Sequence, residues 1–126
     1  MIESISIVIP SYNESENIKE LCRRTLDVIK KINIKKYELI FVDNGSTDKS
    51  LELLKKIKSE DKFVKIISFS RNFGYQSAIA VGLKYSENEY VCVMDGDLQD
   101  PPEIIIKFVE KILEGYDVVY GIRSKR

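Results

Sequence analysis

Tyr90-Val91-Cys92-Val93-Met94-Asp95-Gly96-Asp97-Leu98-Gln99-Asp100-Pro101-Pro102-Glu103 is the stretch that decides how the chain is read. Tyr90 to Met94 has the length and β-branched character of a buried strand. It stops at Asp95-Gly96-Asp97, so two carboxylates stand where a strand gives way to a loop. In an open α/β sheet, ligands bind outside the carboxyl ends of the strands. Acids held that close repel each other unless a cation or hydrogen bonds offset the charge. Gly96 keeps the space between them open for close approach to the backbone. An all-oxygen donor set suits Mg2+ or Mn2+ better than zinc. Pro101-Pro102-Glu103 then ends the loop and starts a helix. On Asp95-Gly96-Asp97 alone a plain turn is an equally good reading. The rest of the chain separates the two.

The 126 residues are enough for one domain with its own core. Hydrophobic residues make up 44% and charged residues 32%, the balance of an ordinary globular domain. Lysine plus arginine equals aspartate plus glutamate at 20 each, so net charge gives no reason to expect nucleic acid as a partner. No apolar run approaches the roughly 20 residues of a membrane span, and no signal-peptide pattern is present. Cys22 and Cys92 fall on a helix face and within a strand, and read as reduced core residues. The absence of histidine excludes a histidine-based triad and a His-ligated zinc site.

Outward from the opening stretch, strands and helices alternate. Ile5 to Pro10 is a first strand, closed by Pro10, which lacks a backbone donor. Asn13, three residues ahead of Glu16, reads as a helix N-cap. Ile18, Leu21, Cys22, Thr25, Ile29 and Ile32 recur at helical spacing and predict a helix from about Glu14 to Ile32. Tyr37 to Val42 is a second strand. Asp43 to Asp48 follows it, with Ser46 as the cap of a helix carrying Leu51, Leu54 and Ile57. Val64 to Phe69 is a third strand, and the helix after it contains Ala78, Ala80 and Gly82, small enough for close approach to a sheet. Ile105, Phe108, Val109 and Ile112 form the stripe of a helix that Gly115 closes. Asp117 to Tyr120 is a fifth strand. The alternation predicts an α/β fold: an open, mostly parallel sheet with helices on both faces.

Polar clusters at Pro10–Glu14, Asp43–Asp48, Arg71–Gln76, Asp95–Asp100 and Gly121–Arg123 each follow the C-terminal end of a predicted strand. One sheet edge therefore collects Glu14, Asp43, Asn44, Asp95, Asp97 and Arg123. Acids, an arginine and a divalent metal suit a nucleoside diphosphate: the metal bridges phosphate oxygens, and carboxylates or amides hold base and ribose.

Ile9-Pro10-Ser11-Tyr12-Asn13-Glu14, Val42-Asp43-Asn44-Gly45-Ser46-Thr47-Asp48 and Met94 through Glu103 resemble the motifs of the family 2 glycosyltransferases, with Asp95-Gly96-Asp97 in the place of the DXD motif. Ser70-Arg71-Asn72-Phe73-Gly74 and Val119-Tyr120-Gly121-Ile122-Arg123 resemble the polyprenyl-phosphate and dolichol-phosphate glycosyltransferase branch. The resemblance covers essentially the whole chain and implies the Rossmann-like GT-A fold. The second motif is commonly Asp-Asp-Gly-Ser. Here it is Asp43-Asn44-Gly45-Ser46, and the Asn44 amide can still bond base or ribose but brings no charge.

The resemblance implies a role for each matching residue. Pro10, Tyr12 and Glu14 line the base and ribose pocket, and Val42, Asp43 and Asn44 close its other wall. Asp95, Gly96 and Asp97 hold the metal (Mg2+ or Mn2+) and the diphosphate, with Asp97 as the catalytic residue. Gln99 lies near the donor sugar, and Arg123 contacts the donor phosphates. Loop packing is the competing reading for Tyr12 and Gln99. The implied reaction is inverting transfer from a UDP- or GDP-linked sugar to a polyprenyl phosphate, through an oxocarbenium-like transition state.

Domains of this family are longer, so residues 1–126 are expected to be the truncated, donor-binding part of a GT-A domain. The acceptor half would lie further on. The expected location is cytoplasmic, with the full-length protein at the cytoplasmic face of the membrane. Apolar surface uncovered by the truncation predicts self-association, as in a homodimer. The alternative function is a catalytically incomplete nucleotide-binding fragment without turnover. Two other α/β classes fit less well. A haloacid-dehalogenase-type phosphatase expects Thr or Val where Gln99 stands, and a receiver-like module expects paired acids where the chain has Ser11-Tyr12-Asn13.

Overall fold

The computed structural model describes residues 3–98 and 101–116. Along them the chain alternates as β1 (Ser4–Ser11), α1 (Ile18–Lys31), β2 (Lys36–Asp43), α2 (Ser50–Glu60), β3 (Val64–Ser68), α3 (Tyr75–Tyr85), β4 (Tyr90–Val93) and α4 (Ile104–Leu113). The sheet runs in the order β3-β2-β1-β4, and every pairing is parallel. Ile7 stands opposite Leu39 on one side and Cys92 on the other.

Parallel strands need cover on both faces, and side-chain parity assigns it. Ile5, Ile7, Ile9, Leu39 and Phe41 enter the larger core with Leu21 and Ile29 of α1, Leu54 of α2, and Ile105 and Val109 of α4. Val8, Ile40 and Val42 point the other way and meet Ala78 of α3. Each aliphatic side chain so buried contributes about 1.5–3 kcal/mol. The small residues of α3 have the use predicted for them: a Cβ on Gly82 would stand 2.3 Å from Val8 Cγ1. β4 is less protected, with Val91 and Val93 still 39% and 36% exposed.

Both cysteines are free and pack with the larger core. Burial pushes both thiols up to about 11, helped at Cys22 by the charge of Asp61, so neither is a thiolate at neutral pH.

Two helix starts differ from the sequence reading. α1 begins at Ile18 rather than near Glu14, because Glu14 to Asn17 form a turn in which Asn17 and Ile18 N–H both donate to Glu14 O (2.9 and 3.1 Å). Asn13 has φ 53°, outside the geometry of a cap. Ser46 does not cap α2, which begins after Lys49. β1 and β2 each run one residue past their predicted ends, since Ser11 and Asp43 remain register partners. The predicted strand Asp117–Tyr120, with Gln99 and Arg123, lies outside the described residues.

Candidate functional site

The C-terminal ends of β1, β2 and β4 and the start of α3 surround an open cleft of about 330 Å³. The chain after β1 lines it with Pro10, Ser11, Tyr12 and Glu14, and the end of β2 adds Asn44. Asn72 and Tyr75 come from the approach to α3, and Asp95, Gly96 and Asp97 from the loop after β4.

Side chains stitch the first two loops together. Asn13 Oδ1 accepts from the N–H of Thr47 (2.8 Å) and of Asp48 (3.3 Å), while Asn13 N–H donates to Ser46 Oγ (2.9 Å). Glu14 N–H donates to Ser50 Oγ (3.0 Å), and Ser15 N–H to Asp48 Oδ2 (3.3 Å). Asparagine tolerates left-handed backbone better than most residues, and its amide can take neighbouring N–H groups. That combination accounts for Asn13 at this bend. Tyr12 and Glu14 are thus presented from a fixed loop, Tyr12 at the rim with 43% of its surface exposed. Glu14 Oε2 accepts from Asn17 Nδ2 (2.8 Å).

The approach to α3 is fixed in the same way. Asn44 Oδ1 accepts from Phe73 N–H (3.0 Å), and Asn72 Oδ1 accepts from Gly74 N–H (2.8 Å). Asn44 therefore reaches the cleft wall while its side-chain oxygen anchors the neighbouring loop. A Cβ on Gly45 would lie 2.3 Å from the Arg71 carbonyl carbon, so the two loops touch at their backbones.

The remaining residues of the expected wall sit deeper. Val42 is in the smaller core under α3, away from the cleft, because its parity on β2 is opposite to that of Asp43. Asp43 is 1% exposed and lies beneath the cleft rather than along it. Its Oδ1 and the Oγ of Ser11 are buried and have no hydrogen-bond partner among the described residues. An unpaired buried polar group costs about 1–3 kcal/mol and asks for an explanation.

Gly96 presses on the β1 loop: a Cβ there would meet Pro10 O and Ser11 Cβ, each at 3.3 Å. One residue beyond Asp97, Leu98 has φ 64°. For a bulky residue that backbone costs on the order of 1–3 kcal/mol, and such strain clusters at ligand sites. Across the cleft, Tyr75 OH donates to Asp95 Oδ1 (2.5 Å).

The structure thus gathers Pro10, Tyr12, Glu14, Asn44, Asp95, Gly96 and Asp97 around one space. Sequence reasoning missed Ser11, Asn72 and Tyr75 as members of it. The available signal was position, since Tyr75 directly follows Gly74 at a helix start on the same sheet edge. Among the described residues no group of three or more acids or cysteines could enclose a metal. Asp95 and Asp97 are two oxygen donors for an ion that favours about six. They fit an ion whose remaining ligands come from a diphosphate and solvent.

A parallel sheet covered on both faces, with acidic loops along its C-terminal edge, is the layout of the GT-A glycosyltransferases. The mannosyltransferase PcManGT of Pyrobaculum calidifontis, solved with GDP-Man and Mn2+, matches it with a TM-score of 0.69 at 20% identity, over 89% of this chain and 32% of that one. The chain belongs to glycosyl transferase family 2, whose model matches residues 6–126. It is 49% identical over 121 residues to the uncharacterized glycosyltransferase YkcC of Bacillus subtilis, across 96% of this chain and 37% of that protein. It is 43% identical over 126 residues to the undecaprenyl-phosphate 4-deoxy-4-formamido-L-arabinose transferase of Pectobacterium atrosepticum, across 99% of this chain and 38% of that protein. The chain spans 37–39% of the length of the first curated relatives it matches. Among the described residues no helix is long and apolar enough to cross a membrane.

Proposed function

We propose that residues 1–126 are the nucleotide-sugar-binding part of an inverting glycosyltransferase that moves a sugar from a UDP- or GDP-linked donor to a polyprenyl phosphate, with Mg2+ or Mn2+ at Asp95 and Asp97. The charge of the cleft carries this reading. Glu14, Asp95 and Asp97 line it, and among the described residues no basic side chain does. A diphosphate entering such a space needs a cation to offset the repulsion. Pro10, Tyr12 and Glu14 take base and ribose, and Asp43 offers its unpaired Oδ1 from below. Gln99 and Arg123 serve the donor sugar and phosphates.

The ion, when bound, offsets the charge growing on the departing diphosphate. The bond from the anomeric carbon to the diphosphate oxygen breaks as a bond to a lipid-phosphate oxygen forms on the opposite face. The nucleoside diphosphate leaves with the electron pair. The acceptor oxygen is already anionic, so no proton has to move. The acceptor class is supported by the name of the Pectobacterium relative, and the nucleotide and metal by the GDP-Man and Mn2+ of the Pyrobaculum mannosyltransferase structure. A polyprenyl-phosphate acceptor puts the full-length protein at the cytoplasmic face of a membrane.

The test is release of nucleotide from UDP- and GDP-linked sugars with Mn2+, with and without undecaprenyl phosphate in detergent. Acceptor-dependent release is the expected result for a chain that carries the whole reaction. The share of its relatives' length that the chain spans favours a second outcome, nucleotide binding without release. That outcome assigns donor binding to these residues and transfer to the longer protein. Binding of neither nucleotide overturns both readings.

A further inference from the structure

We infer that Tyr75 is a positioning residue for the acid pair: its hydroxyl holds the Asp95 carboxylate in the orientation that receives a nucleotide-bound divalent ion. The inference rests on the proposed role of Asp95 and Asp97 and extends it to the opposite wall of the cleft.

Tyr75 opens α3, on the far side of the cleft from β4, and remains 52% exposed. Its hydroxyl donates to Asp95 Oδ1 at 2.5 Å. The backbone that presents it is held by the Asn44 and Asn72 side chains, on Phe73 N–H and Gly74 N–H. Asp95 lies on the other wall of the cleft. It follows a four-residue strand with two partly exposed valines, tied at its end by Met94 N–H to Val8 O (2.9 Å). The loop fixed by Asn44 and Asn72 therefore presents a hydroxyl that orients the acid after β4. Carboxylates that ligate metals are commonly held by a hydrogen-bond donor behind them, and removing that donor lowers metal affinity by about 10–100-fold. A carboxylate oriented in advance also avoids an ordering cost when the ion arrives. Neither the ring face nor its packing is needed for this role.

Mn2+ uptake followed by electron paramagnetic resonance, with UDP and with GDP present, tests the assignment. Tyr75→Phe and Tyr75→Leu are each expected to weaken nucleotide-dependent Mn2+ uptake by about 10-fold, equally, since only the hydroxyl matters. Metal-free melting temperature should stay that of the unaltered chain. Uptake by Tyr75→Phe that equals or exceeds that of the unaltered chain overturns the inference, the second case meaning that the hydroxyl competes with the ion. A lowered metal-free melting temperature with an equal loss of metal-free nucleotide binding also overturns it, by making Tyr75 structural. If the unaltered chain takes up no Mn2+ with either nucleotide, the proposed function fails and this inference with it. Loss confined to the variants keeps both.

Discussion

β2 carries one buried acid near each end, and the two are treated in opposite ways. Glu38, 4% exposed, accepts from Ser6 Oγ (2.5 Å), Lys65 Nζ (2.5 Å) and Glu87 N–H (2.7 Å). Burial alone would push its pKa up, but these donors outweigh burial and hold the carboxyl below the usual range. Asp43, 1% exposed, keeps an oxygen with no partner among the described residues. One strand thus has an acid that ties the N-terminal edge together and another held by its strand neighbours with bonding capacity left over. The second lies at the edge where α/β sheets take ligands. The N-terminal edge has its own exception, since Asn88 Oδ1 is buried and unpaired there. Nothing in the structure accounts for it.

The contrast can be broken by mutation, and the largest expected effect is at Glu38. Glu38→Ala leaves the Ser6 hydroxyl and the Glu87 N–H without their acceptor and takes from the Lys65 ammonium one of its two carboxylate partners, the other being Glu87 (3.3 Å). A buried donor left without its acceptor costs about 1–3 kcal/mol, so the expected loss is ~3 kcal/mol in denaturant unfolding. A loss under ~1 kcal/mol, the range of a surface ion pair, removes the structural half of the contrast.

Asp97→Asn should weaken nucleotide binding in Mn2+ by about 10–100-fold. Its metal-free melting temperature should hold or rise slightly, because one of two repelling charges is gone. A large fall would make Asp97 structural. Asp43→Asn should weaken nucleotide binding by about 10-fold, the worth of one hydrogen bond to a charged group, while unfolding shifts by less than it does for Glu38→Ala. Destabilisation as large as that of Glu38→Ala would mean that both ends of β2 serve the fold alone.

The smallest effect is on acid stability. Glu38 has a depressed folded pKa, so its stabilisation is present above the unfolded glutamate value of about 4.3 and is lost as pH falls through the folded value. Stability of the unaltered chain should therefore decline below about pH 4, and Glu38→Gln should flatten that decline. Identical slopes for the two proteins would assign the decline to other carboxylates.

Much of the fold was legible because strand runs and helix stripes are local patterns. The β1 and β2 runs are buried on both faces, and a parallel α/β sheet follows from the alternation. Parallel strands in turn bring the loops after them to one edge, which is why Glu14, Asn44, Asp95 and Asp97 could be grouped from sequence. The misreadings came from contacts between loops. Asn13 and Ser46 look like caps for their own helices, yet they bond to each other across 33 residues of chain. Tyr75 was missed because its partner lies 20 residues on in the chain. Val42 was placed on the cleft wall with Asp43, although adjacent strand residues face opposite sides of a sheet.

The central claim is that the acids on the C-terminal edge bind a nucleoside diphosphate through a divalent ion. Calorimetric titration with UDP and GDP, first in Mn2+ and then in chelator, tests it most directly. The expected result is binding of at least one nucleotide in Mn2+ and a drop of 10-fold or more, ~1.4 kcal/mol, when the ion is removed. Equal affinity with and without Mn2+ would contradict the roles given to Asp95 and Asp97.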